Sequence, residues 1–533
     1  MQDFDYIVVG SGATGAIAAK TLVERGKNVA VLDAGIWEEK YRNIIPDQDW
    51  LTIRKTDTNQ HRYFLGDNFE GVVWEESRVG SQLTPPRNYL KQSVEELMPF
   101  VSETFFPFES LAKGGLGGGW GTGCFAFSTA ELEKCGLNPT EIKKAYNQVS
   151  ELIGISGQHD DSGPYSLGEI ENAQAPISME KSIAKVYSNY QKQKAALNKD
   201  GFFMGRSAIA LLTQDLDDRQ SCKKYDMEFW ADKDKSAYRS WMTIDSLKAK
   251  PNFDYLPGWL VLSFQEVDGW VNITARNISD NSEQTFRCRQ LVLAAGVLST
   301  ARIVLRSGNQ MGIKLPVLCN PYSYMPTMQL AMLGNEPEQF KTGIGQAALF
   351  HDPNKTNFDV AQSALFSYRQ LLLFKLAKET PLGFAFGRQT MKLLQSAFVI
   401  AGIHHPEVQG PDKWIKLEKS DNPLTGDTLT GEYLLSEKEK ERMDWRETQY
   451  RKALRTLGCF PLKTIRTPQG GSIHYAGTLP FSDSDKSNSL SVDGKLNGYK
   501  NVWVADGSGF SYLPAKGLTL TLMANAANVC SKI

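Results

Sequence analysis

The sequence predicts an α/β protein in which a Rossmann-like dinucleotide-binding domain is interleaved with an α+β domain built on an antiparallel sheet. Three observations predict it. The chain opens with a strand, glycine loop, helix and second strand; an alternating meander ends in a buried strand near residue 293; and 533 residues are too many for one core. The opening strand, Tyr6–Val9, runs into Gly10-Ser11-Gly12-Ala13-Thr14-Gly15 and an alanine-rich helix that ends by Gly26. A second apolar strand, Val29–Leu32, stops at Asp33-Ala34. In such a unit Gly10 permits the tight turn, Gly12 lets the backbone approach a pyrophosphate, and Gly15 lets helix and strand pack closely. The helix N-terminus offers N–H groups to phosphates, and Asp33 stands where a carboxylate accepts from ribose hydroxyls. A bare GxGxxG is often a mere loop. With strands, helix and acid in register, it points to bound FAD or NAD.

Residues 36–110 are irregular, with TPPR at Thr84–Arg87, and read as an excursion over the cofactor. Lys113–Phe127 is a glycine-dense loop around one tryptophan, Trp120; its flanking apolar strands favour a packed loop over a linker. Residues 130–155 and 176–198 read as amphipathic helices. Asn252–Gly296 alternates like a meander with a turn at Asp268-Gly269, ends in LVLAAG, and leads into a helix at Ser299–Arg306. Residues 1–40, 105–160, 200–310 and 470–533 are assigned to the nucleotide domain. Residues 41–104, 161–199 and 311–469 are assigned to the second, substrate-binding domain.

Bulk properties exclude several classes. With 59 basic against 60 acidic residues, nothing argues for nucleic acid. The first strand begins almost at Met1, leaving no room for a signal peptide, and no apolar run is long enough to span a bilayer. Cys124, Cys135, Cys222, Cys288, Cys319, Cys459 and Cys530 form no CxxC pair and are odd in number, which fits reduced thiols in a cytoplasmic protein and argues against a zinc site. No metal is expected.

Four separated segments resemble the glucose–methanol–choline (GMC) flavoprotein oxidoreductases. They are the N-terminal fingerprint, GGLGGGW within Lys113–Phe127, LVLAAGVLSTARIVLRSG (Leu291–Gly308), and His474–Val529 with HYAGTLPF, NVWVADGSGF and GLTLTLMANAANV. Their order matches the family across nearly the whole length, and the loop and C-terminal motifs look most like the pyranose oxidase and cholesterol oxidase branch. The resemblance implies non-covalent FAD. Gly10, Gly12, Gly15 and Asp33 would hold the ADP end, beside the Val261 backbone and Ala295-Gly296. The Gly115–Thr122 loop, including Trp120, Gly121 and Thr122, would run along the flavin. Asp506, with Gly507, would bind the pyrophosphate–ribityl region. Leu518-Thr519 would start a last helix, reaching Lys532, whose positive end faces the flavin. Gly119 stands where some relatives carry a flavin-linked histidine, so covalent attachment is not expected.

By resemblance His474 is the base that takes the hydroxyl proton while hydride passes to flavin N5; an imidazole suits that task because it titrates near neutral pH. His61, His159, His351, His404 and His405 are read as structural or surface groups, and on an extended segment at most one of the adjacent pair His404-His405 can face the flavin. The chain departs from the family just before the last helix. A second His or Asn is replaced by Gly517, or by Ala515 on an ungapped alignment, and Lys516 between them is the one side chain able to stand in. The expected activity is oxidation of a CH–OH group in a sugar, sugar conjugate or other alcohol. O2, a quinone or another acceptor would then reoxidise the flavin. Because of Gly517, an isomerase, a lyase or a flavin-binding protein of low turnover stays as the alternative, and NAD is second to FAD. Residues 364–403 are apolar and aromatic: a core helix pair or dimer interface is favoured over a greasy entrance or peripheral membrane contact. Lys438–Arg455 is expected to be a solvated helix.

Overall fold

A computed structural model describes residues 3–46, 48–63, 65–69, 85–223, 233–336, 338–339, 342–367 and 383–533. Its first sheet has Asp3–Val9 at the centre, parallel to Val29–Asp33 on one side and Glu283–Leu293 on the other. Val29–Asp33 is buried throughout, as expected of a strand covered on both faces. The long strand Glu283–Leu293 does two jobs. Its first half closes an antiparallel meander with Trp270–Asn277 and Trp259–Val267, and its last residues pair in parallel with Val502–Val504. Phe253–Pro257 is not part of that meander: it lies in parallel beside Val29–Asp33 at the sheet edge. Gly258, at φ +89°, redirects the chain between the two.

The helix Ala13–Glu24 packs against the last helix, Thr519–Lys532, which also packs on Pro139–Ile153. The helix expected over 130–155 is two. Gly136, in the left-handed region, ends Thr129–Cys135, and Asn138 with Pro139 starts the next. The helix expected over 176–198 spans Lys181–Lys199.

The second sheet is antiparallel, in the order Cys459–Pro461, Tyr322–Gln329, Phe398–His404, Ala361–Ser367, Ala347–His351 and Phe202–Arg206. Its last strand, Phe202–Arg206, comes from the stretch assigned above to the nucleotide domain. One face, with Met325, Val399 and Ala401, is buried against Lys181–Lys199 and Glu437–Thr456. That second helix is wetted on one side only, for Tyr450 is fully buried and its hydroxyl donates to the Leu349 and Ala361 carbonyls. The opposite face carries Tyr322 and Tyr324, both half-buried, and cross-strand register places Tyr322, His404 and Gln362 side by side. Within 364–403 the described parts are the strand Ala361–Ser367, the helix Phe384–Leu394 and the strand Phe398–His404. Residues 368–382 of that apolar segment lie outside the described residues. All seven cysteines are free thiols. Among the described residues no cluster suits a metal, and no helix is long and apolar enough to cross a membrane.

Candidate active site

The glycine fingerprint works through backbone crowding. Gly10 has φ +96°, and a β-carbon there would stand 2.8 Å from the Ala294 carbonyl oxygen; one on Gly15 would collide with the Gly10 carbonyl. Gly12 differs, because a β-carbon on it, on Gly121 or on Gly296 would meet nothing within 4 Å. These three glycines therefore border open space. No side chain caps the helix that starts at Ala13, and no acidic residue stands in its first turn. Its N–H groups, through Thr14, are left to an anion. A cleft opens beside this turn, lined by Gly10, Asp33, Ala34, Val261 and Ala295, with Leu111, Trp259 and Leu260 as apolar walls.

Two carboxylates differ from their expected roles. Asp33 already accepts from Ser11 Oγ, the Ser11 N–H (3.3 Å) and Tyr255 Oη (2.8 Å). Burial raises its pKa to about 6 despite these bonds. One lone pair at most remains for a ribose hydroxyl, so Asp33 chiefly ties the glycine turn to the neighbouring strand. Ser11 Oγ also accepts from the Gly114 N–H (2.8 Å), which seats the second glycine loop on the first. Asp506 is saturated: Oδ1 accepts from the Ser508 N–H and Oγ, Oδ2 from the Gly296 N–H (3.1 Å) and Thr300 Oγ1 (2.6 Å). It shapes the Gly296 and Gly507 turns and has no free acceptor for the pyrophosphate–ribityl region. The glycine loop forms a short 3₁₀ turn at Gly115–Gly118, and Trp120 Nε1 donates to the Tyr238 carbonyl (2.7 Å). Thr122 is buried with a hydroxyl that no described residue engages.

His474 is partly buried, and its Nδ1 lies 3.1 Å from Asn320 Oδ1. The Asn320 amide has one orientation, because Nδ2 faces three carbonyl oxygens: His405 (2.8 Å), Pro514 (3.1 Å) and Leu513 (3.3 Å). Oδ1 must therefore point at His474. Nδ1 carries the proton, and Nε2 is left with the lone pair that a base needs. Burial lowers the His474 pKa to about 4, so the ring is neutral near neutral pH. His404 stacks on His474, with ring centroids 4.8 Å apart and planes 20° apart, whereas His405 points to the opposite face, 3.5 Å from Ser323 Oγ. The extended-segment parity is thus what separates them.

Lys516 does not join this group. It is fully buried, pairs with Glu131 (2.8 Å) and donates to the Ala126 carbonyl (3.1 Å). Glu131 also closes a capping box with Ser128, so the lysine is held inside the core by a fixed acid. Position 517 is closed as well as bare, since a β-carbon on Gly517 would lie 2.8 Å from the Gly123 carbonyl oxygen. Ala515 is buried. Leu518 caps the last helix, which begins at Thr519. Sequence reasoning missed Asn320, Tyr255 and Glu131, whose partners lie 85 to 385 residues away along the chain. No local pattern marks Asn320 or Tyr255, and the Ser128–Glu131 capping box gives no sign of Lys516.

The comparisons with known proteins agree with this architecture. The chain shares its fold with the crystal structure of pyridoxine 4-oxidase from Mesorbium loti, at a TM-score of 0.59 and 13% identity over 99% of both chains. It is also similar to paromamine 6'-oxidase of Streptomyces fradiae, 22% identical over 98% of this chain and 90% of that protein. Both named proteins are oxidases, and the structural likeness shows a shared α/β fold with a Rossmann-like nucleotide domain. No family model matches the sequence.

Proposed function

We propose that this chain is an FAD-dependent oxidoreductase that oxidises a CH–OH group of a small molecule, with His474 as base. The observation that carries the proposal is a neutral imidazole whose Nδ1 is held by Asn320, leaving Nε2 with its lone pair. The likeness to a paromamine oxidase and a pyridoxine oxidase supports an alcohol substrate and an external electron acceptor.

The cleft fits FAD. Gly10, Gly12, Ala13, Thr14 and Gly296 would face the phosphates, and Ala34, Val261 and Ala295 would line the adenosine end. The loop Gly115–Thr122 and the helix start at Leu518-Thr519 would border the remainder. When bound, FAD supplies a two-electron acceptor for hydride from the carbinol carbon, and O2, a quinone or a similar acceptor restores it. His474 Nε2 takes the hydroxyl proton, so the alcohol loses one hydride and one proton and leaves as a carbonyl. Asn320 keeps the other nitrogen protonated throughout and accepts from the imidazolium that forms.

The test is to purify the protein with its yellow flavin band and add sugars, polyols, nucleotide sugars and long-chain alcohols without oxygen. Bleaching by at least one alcohol, with carbonyl product, is expected. A flavin that stays oxidised across that panel rejects the reading. Gly119 offers no side chain for a covalent link, so acid denaturation is expected to release the flavin.

A further inference from the structure

Position 517 leaves the substrate oxygen one side-chain donor short, and the structure shows why that position cannot supply it. The Gly123 carbonyl fills the space of a β-carbon, and Lys516 is spent on Glu131. A candidate stands instead on the second sheet. His404 ends the strand Phe398–His404, and its ring is sandwiched between Tyr322 (4.4 Å, 34°) and His474 (4.8 Å, 20°). The sandwich fixes the ring plane while leaving its polar edge unused. Nδ1 is buried with no hydrogen-bond partner, and no described residue bonds to either ring nitrogen.

Resting on the oxidation reading above, we infer that His404 is a second catalytic residue: its N–H donates to the substrate oxygen while His474 takes the proton. The donor comes here from the second sheet, at the end of the strand Phe398–His404. The electrostatics agree. Burial, then the neighbouring His474, then His405 hold the His404 pKa well below its ordinary value. Two stacked imidazoles cannot both be charged, so His404 stays neutral when His474 becomes imidazolium. A neutral ring has one N–H to give and transfers no proton. Tyr322 on one side and Gln362 across the strands flank His404, and neither carries a charge at neutral pH.

The experiment separates donation from stacking. His404→Phe keeps a flat ring between Tyr322 and His474 and removes both nitrogens; His404→Asn returns an N–H without the ring. With an alcohol that the native enzyme oxidises, His404→Phe is expected to slow flavin reduction by about 10²–10³. Flavin content and substrate Kd should change little, and His404→Asn should recover part of the loss. A Phe variant as fast as the native enzyme, or an Asn variant no faster than Phe, overturns the inference. A second arm needs no turnover: with ¹⁵N-histidine, NMR titration should show the His404 pKa rising in His474→Phe as a like-charge neighbour is lost. No shift means the rings do not pair and also overturns the inference. If the native protein fails to reduce its flavin with any alcohol, the oxidation reading falls, and the titration still decides whether the pair exists.

Discussion

The glycine turn, or nucleotide end, and the His474 cluster, or imidazole end, are built by different means. The nucleotide end comes from consecutive residues, Gly10 to Gly15, whose spacing alone dictates a tight turn, an open edge and a crowded helix–strand contact. The imidazole end gathers Asn320, His404, His474 and the Leu513–Gly517 segment through backbone carbonyls, ring faces, the Asn320 amide and the Lys516–Glu131 pair, all contributed by distant stretches of chain. The first kind of site tolerates almost no change of residue type. The second tolerates change of type as long as some group reaches the same space.

That contrast can be broken or sharpened by substitution. The largest effect is expected from Gly15→Ala, whose new methyl meets the Gly10 carbonyl; backbone on backbone cannot yield, and the purified protein should carry no flavin. His474→Ala should retain flavin but reduce it about 10²–10⁴ times more slowly, as measured by anaerobic stopped flow. Lys516→Met tests the corrected role of that lysine. Removing one partner of a buried pair costs about 3–5 kcal/mol of stability, so thermal unfolding should shift strongly while the reduction rate of folded protein holds. A rate loss without a stability loss would return Lys516 to the chemistry.

The smallest effects are in pH. With its pKa lowered to about 4 by burial, His474 is already a free base at neutral pH. Flavin reduction should stay level on acidification until pH nears 4, then fall about tenfold per unit. Stability behaves differently. His351 and His474, both lowered to about 4, and His405, lowered to about 3, bind protons more readily when unfolded. The stability they contribute is complete above their ordinary 6.5 and is lost as pH falls from there toward 4. Melting temperatures across that window check the sign.

Much of the nucleotide end is legible in sequence because its causes are short-ranged. Gly10, Gly12 and Gly15 behave as their spacing requires, and the strands at Val29–Asp33 and Leu291–Leu293 lie beside the first one. The errors there concern what surrounds a residue rather than where it sits. Asp33 and Asp506 occupy their expected turns, yet Ser11, Tyr255, Thr300 and Ser508 take their lone pairs. Phe253–Pro257 alternates like its neighbours, and nothing local tells a parallel edge from a hairpin arm. At the imidazole end, parity on an extended strand correctly limited His404 and His405 to one inward ring but could not choose which. Asn320 carries no motif, and Lys516 looked available only because Glu131, 385 residues earlier, was invisible as its partner.

The 2.8 Å approach of the Gly123 oxygen to the vacant corner of residue 517 also constrains how such a protein changes over time. A single substitution there cannot place an asparagine or histidine, because the obstacle is main chain belonging to a different loop. Any side chain at 517 would require that loop to move first, with no benefit until the second change arrived. Engineers seeking one would have to rebuild two segments together.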